Sequence, residues 1–174
     1  IFNVKLSNYK IVNKAVSNFN GTSDFYLSEL DLCSSLLKYK FVKMKKKIAC
    51  EVITLEKFCS EEKIDNIVFL HVDTQGSDLD VLKGLKFYKS IVHEGVIETM
   101  LNKEDLNYVG ACTLDDVKNF FQGSSYEIIE EKYNAPKELN VYFKNKKCKN
   151  TNKISINKFN PRFLRRITEN RLNF

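Results

Sequence analysis

No apolar run in these 174 residues approaches the roughly 18 to 20 needed by a membrane-spanning helix, which excludes that kind of span. The start lacks the basic-then-apolar form of a secretory signal, and its first residue is Ile1 rather than Met, which predicts a fragment or a processed product of a cytoplasmic protein. Cysteines stand at 33, 50, 59, 112 and 148, an odd number at irregular spacing with no C-x-x-C pair. Neither a disulfide framework nor a zinc site follows from that pattern, and reduced structural thiols are expected. His71 and His93 lie 22 residues apart with no thiol at ligand spacing, so no metal site is indicated.

What is present is enough apolar content, 43%, for one domain with a real core. The net charge of +6 is unevenly divided. Residues 144–174 hold ten Lys/Arg against the single acid Glu169, whereas residues 1–143 hold eighteen against twenty-one acids. The body, residues 1–144, is therefore slightly acidic, and residues 145–174 form a basic extension. Residues 145–160, rich in Lys and Asn, predict a linker too poor in apolar groups to offset its ordering entropy. Pro161 then opens a short basic helix. Docking on the acidic body or plain solvation is expected of that helix, ahead of contact with an anionic membrane or nucleic acid.

The densest stretch is residues 67–84. Residues 67–72 form a near-continuous apolar run rich in β-branched side chains, broken by His71, and predict a strand covered on both faces. Asp73, Thr74 and Gln75 follow, then Gly76 for a turn that a Cβ would obstruct. Ser77 reads as the N-cap of the next helix, with Asp80 as a weak capping-box partner. In an open α/β sheet the ligand crevice lies outside the carboxyl ends of the strands, so Asp73 and Gln75 should face it.

Before this stretch, residues 1–7 read as the last turns of a helix. Residues 10–17 and 22–27 read as strands in hairpin order around Asn18, Asn20 and Gly21, and residues 48–53 as a third strand. Thr54 caps a short helix. After it, residues 90–99 predict the next strand and put Glu98 on the same rim as Asp73. Thr113 and Asp116 begin a capped helix that stops near Gly123, and residues 126–133 and 139–144 close as an antiparallel pair. The sum is an α/β layered domain.

In order and in residues, this chain resembles the FkbM family of S-adenosylmethionine-dependent methyltransferases. The resemblance runs through Ala15-Val16-Ser17 with Gly21, Ser34-Ser35-Leu36, Thr54-Leu55-Glu56, and Tyr108 with Gly110. It is most specific at His71, Asp73, Gln75, Gly76, Asp78, Val81, Leu82 and Gly84, with Glu98 ending the next strand. It covers roughly residues 1–144. His71 replaces the family's Lys, and Asp78 its Glu. The implied fold is Rossmann-like, of the class I methyltransferase type, N-terminally truncated, with a mostly parallel sheet ending in an antiparallel hairpin. The family's glycine-rich loop and second-strand acid belong upstream of Ile1, so much of the cofactor cradle is expected to be missing and this chain alone to bind cofactor weakly. Two strands absent here would separate residues 10–17 from the central strand, leaving the central strand one open edge and residues 10–17 to pair with 22–27.

The resemblance implies S-adenosyl-L-methionine as cofactor and O-methylation of a hydroxyl on a small molecule or glycan. Methyl transfer needs alignment of donor and acceptor and a group to take the proton. Asp73, His71 and Glu98 are the groups available; His71 and Asp73, two apart on a strand, share a face about 6–7 Å apart. A turn-fastening Asp73 and a core His71 are the plainer alternatives. Gln75 and Gly76 would shape the substrate floor. Ser34 and Ser35 would either contact an acceptor hydroxyl or cap their own segment. Ala15 and Val16, with Asp73, would border the cofactor, or the first two serve as plain core. The competing function class is a non-catalytic α/β binding module whose basic tail grips an anionic partner.

Overall fold

The structure, a computed structural model, describes residues 10–147. The helical turns expected at residues 1–7, the Pro161 helix and most of the linker before it lie outside the described residues.

Among the described residues, seven strands divide into two sheets. The smaller sheet holds β1 (Ala15–Ser17), β2 (Gly21–Ser28) and β3 (Met44–Thr54), in the order β1-β3-β2. The larger holds β4 (Ile67–Val72), β5 (Val92–Met100), β6 (Tyr126–Ala135) and β7 (Glu138–Asn145), in the order β4-β5-β7-β6. Helices α1 (Leu55–Glu62), α2 (Asp78–Lys83) and α3 (Leu114–Phe121) connect them.

β4 and β5 pair in parallel, and among the described residues β4 is an edge, as expected. The mostly parallel sheet does not form. β1–β3 and β4–β5 are parallel, but β2–β3, β5–β7 and β6–β7 are antiparallel. The short connection at Pro136 and Lys137, the latter at φ 72°, permits nothing but an antiparallel return between β6 and β7.

The expected pairing of residues 10–17 with 22–27 is also corrected. Ala15–Ser17 pairs with residues 52–54 of β3, and β2 lies on the other edge of β3. Val52, Ile53 and Thr54 are the buried end of β3, whose other residues are mostly exposed. A β1–β2 hairpin would leave one edge of that buried triplet without hydrogen-bond partners, so the chain crosses the end of β3 instead. The Asn20 side chain covers the crossing by accepting from the Thr54 amide at 2.9 Å.

Thr54 and Thr113 cap as expected. Thr54 accepts from the Lys57 amide, and Thr113 and Asp116 form a reciprocal capping box. Ser77 does not. Its hydroxyl donates back to Thr74, and it makes no cap bond to α2.

The core joins α2 and α3 to the larger sheet through Leu79, Leu82, Val117, Phe121, Val92, Ile97, Val141 and Phe143. Gly95 in β5 lets the Phe143 ring cross the strand, since a Cβ there would meet Phe143 at 2.5 Å and the Leu70 carbonyl at 2.6 Å. Asn145, the last residue of β7, is buried and donates to the Ser90 and Val92 carbonyls. No helix among the described residues is long and apolar enough to cross a membrane.

Candidate functional site

A cleft of about 540 Å³ opens at the carboxyl ends of β4 and β5. Its lining brings together His71, Asp73, Gln75, Gly76 and Glu98, five of the residues singled out in the sequence. Ser34, Ser35, Ala15 and Val16 are not among the lining residues.

The floor is the turn after β4. Gln75 takes φ 56° and Gly76 φ 97°, two successive left-handed residues, the first of them not glycine. The strain is held by Asp78, which is 1% exposed and accepts the Thr74 amide at 3.0 Å and the Gly76 amide at 3.1 Å. Burial pushes the Asp78 carboxyl up to about 6, against the pull of those amides in the other direction. Ser35 adds a second fastening by donating to the Gln75 carbonyl at 2.8 Å. The Ser34 hydroxyl accepts from the Ser28 amide. Both serines therefore act on backbone, one of them on the backbone of the site itself.

The turn aims Gln75 across the cleft. Its amide nitrogen donates to Asp73 Oδ1 at 2.8 Å, and its oxygen accepts from the Tyr108 hydroxyl at 2.8 Å. Tyr108 closes over Gly76, where a Cβ would lie 2.9 Å from the ring, which is why glycine is required there. Tyr39 meets the Tyr108 ring edge-on at 4.8 Å. Burial raises the Tyr108 phenol well above its ordinary value, so it serves as a donor and not as a base. His71 lines the cleft, and its side chain makes no hydrogen bond with another described residue.

The opposite rim is built by register. Glu98 of β5 faces Asn140 of β7, and Met100 faces Glu138. A bulge between Tyr133 and Ala135 frees Asn134 to donate to Glu138 at 2.6 Å and to Glu98 at 3.3 Å. Burial, then the charges of Asp73, Glu138 and Asp78 and a hydrogen bond with Glu138, push Glu98 up to about 9. Burial and the facing carboxyls therefore favour the protonated form of Glu98, which is hydrogen-bonded with Glu138.

Tyr39, Asn134 and Glu138 escaped the sequence reading. Tyr108 was visible within a Tyr-x-Gly pattern, but its partner Gln75 is 33 positions away. Asn134 and Glu138 flank a turn, where polar residues are the rule, and only the bulge and the pairing with β5 turn them inward.

Ala15 and Val16 sit on β1, with Val16 packed against the core and the neighbouring Asn18 donating to Asp80 of α2. Among the described residues, no group of three or more His, Cys, Asp or Glu is placed to hold a metal ion. The model of the methyltransferase FkbM domain matches residues 3–127. No curated protein and no solved structure matches the chain.

Proposed function

Since the chain belongs to the FkbM methyltransferase family, we propose that it uses S-adenosyl-L-methionine to methylate a hydroxyl of a small-molecule or glycan acceptor bound over Asp73 and Glu98. The division of labour between the two carboxyls on the cleft rim carries this reading. Glu98, raised to about 9, already holds a proton and cannot take another at neutral pH. Its single O–H, hydrogen-bonded with Glu138, is suited to turn to an acceptor oxygen when one enters the cleft. Asp73 is left to take the proton as that oxygen gains the methyl group, and the Gln75 amide orients its carboxylate from one side.

The cofactor supplies an electrophilic methyl group on a positively charged sulfonium. The cleft suits such a cation: its lining carries Asp73 and Glu138 and the rings of Tyr39 and Tyr108, and contains neither Lys nor Arg. Asp73, Tyr39 and Tyr108 would hold it. Ala15 and Val16, outside the lining, are given no part.

The test is methyl transfer by the protein in its whole reading frame, read as release of S-adenosylhomocysteine over a panel of neutral hydroxyl acceptors. Asp73→Asn should lower the rate by about 100-fold or more, the usual scale for losing a general base. Glu98→Gln, which keeps a donor, should retain most of the activity and abolish a decline of the wild type as Glu98 loses its proton near pH 9. An Asp73→Asn protein that folds and turns over normally would assign Asp73 to the turn alone.

A further inference from the structure

The outer side of the cleft wall has a character opposite to its inner side. Residues 29–47 carry six lysines and two acids. Lys38, Lys40, Lys43, Lys45 and Lys46 are all exposed and make no ion pair among the described residues; only Lys47 does, with Asp24 at 2.9 Å. The same segment exposes three large apolar side chains: Phe41 at 73%, Leu30 at 57% and Leu32 at 43%.

These groups are ordered with respect to the site. Tyr39 bridges to Tyr108, with Lys40 donating its amide to Asn107 and Lys38 accepting from Val109. Tyr39 is turned to Tyr108 while its neighbours Lys38 and Lys40 stay in solvent, and the Phe41 ring rests edge-on against Tyr39 at 6.2 Å. Leu32 itself lines the cleft mouth. Unpaired lysines and exposed aliphatic and aromatic groups thus share one segment, which reaches the cleft through Leu32 and Tyr39.

We propose that this face, residues 29–47, docks on an anionic lipid bilayer, with Leu30, Leu32 and Phe41 entering the headgroup boundary and the lysines resting on the lipid charges. Charge complementarity selects that occupant. Lysine is depleted from the cores of protein interfaces, whereas each lysine near an anionic bilayer strengthens binding roughly fivefold. Nucleic acid would want several free aromatic faces for stacking, whereas the segment exposes one ring, Phe41, beside the aliphatic Leu30 and Leu32, with Tyr39 engaged by Tyr108. Docking is independent of the methyl-transfer reading, and its effect on the site is to set the cleft mouth against the membrane surface.

Because the chain contains no Trp, Phe41→Trp places a single fluorescent reporter in the face. Vesicles of phosphatidylcholine mixed equally with phosphatidylglycerol, added to the full chain at physiological ionic strength, should blue-shift its emission, and pure phosphatidylcholine should not. Cosedimentation with the mixed vesicles should fall about a hundredfold when Lys40, Lys43 and Lys45 are all replaced by Gln, with the circular dichroism spectrum unchanged. Binding within threefold of the unsubstituted chain would overturn the proposal. So would vesicle binding without an emission shift, which would assign the contact to residues outside 29–47. A tighter, patch-dependent complex with single-stranded RNA than with the mixed vesicles would overturn it in favour of nucleic acid.

Discussion

The two sheets of this protein are built from similar lengths of strand but on different principles. In the larger, β5 has five buried residues of nine and lies between β4 and β7, under α2 and α3. In the smaller, β3 is the longest strand and only its last three residues are buried. The first behaves as core, and the second as a ribbon attached to that core by the end of one strand. The cleft lies where they meet: its rim of Glu98, Glu138 and Asn140 stands on the packed sheet, and its outer wall comes from the segment between β2 and β3. Under the readings proposed above, the groups that need fixed positions stand at the rim of the packed sheet, and the groups that need exposure stand on the segment between β2 and β3 and on the exposed start of β3.

That contrast can be broken or sharpened by substitution. Phe143→Ala, in the packed sheet, should lower the folding free energy by about 3–5 kcal/mol in urea titration, because the ring fills the space over Gly95 and contacts Phe121 and Tyr126. A loss below about 1 kcal/mol would mean that the larger sheet is no better packed than the ribbon. Next in size, Asp78→Ala should remove about 2–4 kcal/mol, since two turn amides lose their acceptor. That change should also loosen Gln75, so reduced cofactor or acceptor affinity is expected beyond the stability effect.

An effect of comparable size is carried by pH. The Glu98 carboxyl rises in the folded state from an ordinary 4.5 to about 9, so the folded protein binds a proton that the unfolded chain releases. The stability it contributes is complete at acid pH and is lost as pH rises through that value. Asp78, raised to about 6, follows the same sign but has lost its share by neutral pH. Over roughly pH 6.5 to 9 the melting temperature should therefore fall, and Glu98→Gln should flatten the fall. Parallel curves for the two proteins would show Glu98 to be ionised. The smallest effect belongs to the ribbon: Ile48→Thr, at a side chain 36% exposed on β3, should change stability by no more than about 0.5 kcal/mol.

Where a feature depends on neighbours within a few positions, the residues announced it. The run of residues 67–72, the turn at Gly76, and the Thr54 and Thr113 caps were legible because a strand's apolar character, a glycine's positive φ and a cap's hydrogen bond are local. The resemblance in residues 71–84 located the floor of the cleft for the same reason. Ser77 shows the limit of such reading. It occupies the cap position, but Asp78, one residue on, takes the turn amides because it is buried where they point.

The sequence by itself determined the strand, turn and helix from Ile67 to Lys83, the parallel partner at β5 and the antiparallel return of β6 and β7. These follow from short-range patterning and from the length of connections. Tertiary structure alone decided that β1 lies beside β3, that a bulge delivers Asn134 to two carboxyls, and that Tyr108 reaches Gln75. It also decided the protonation of Glu98, since burial is the leading cause of its shift and the facing carboxyls add to it. Burial and charge separation are properties of a packed arrangement, and no spacing along the chain encodes them.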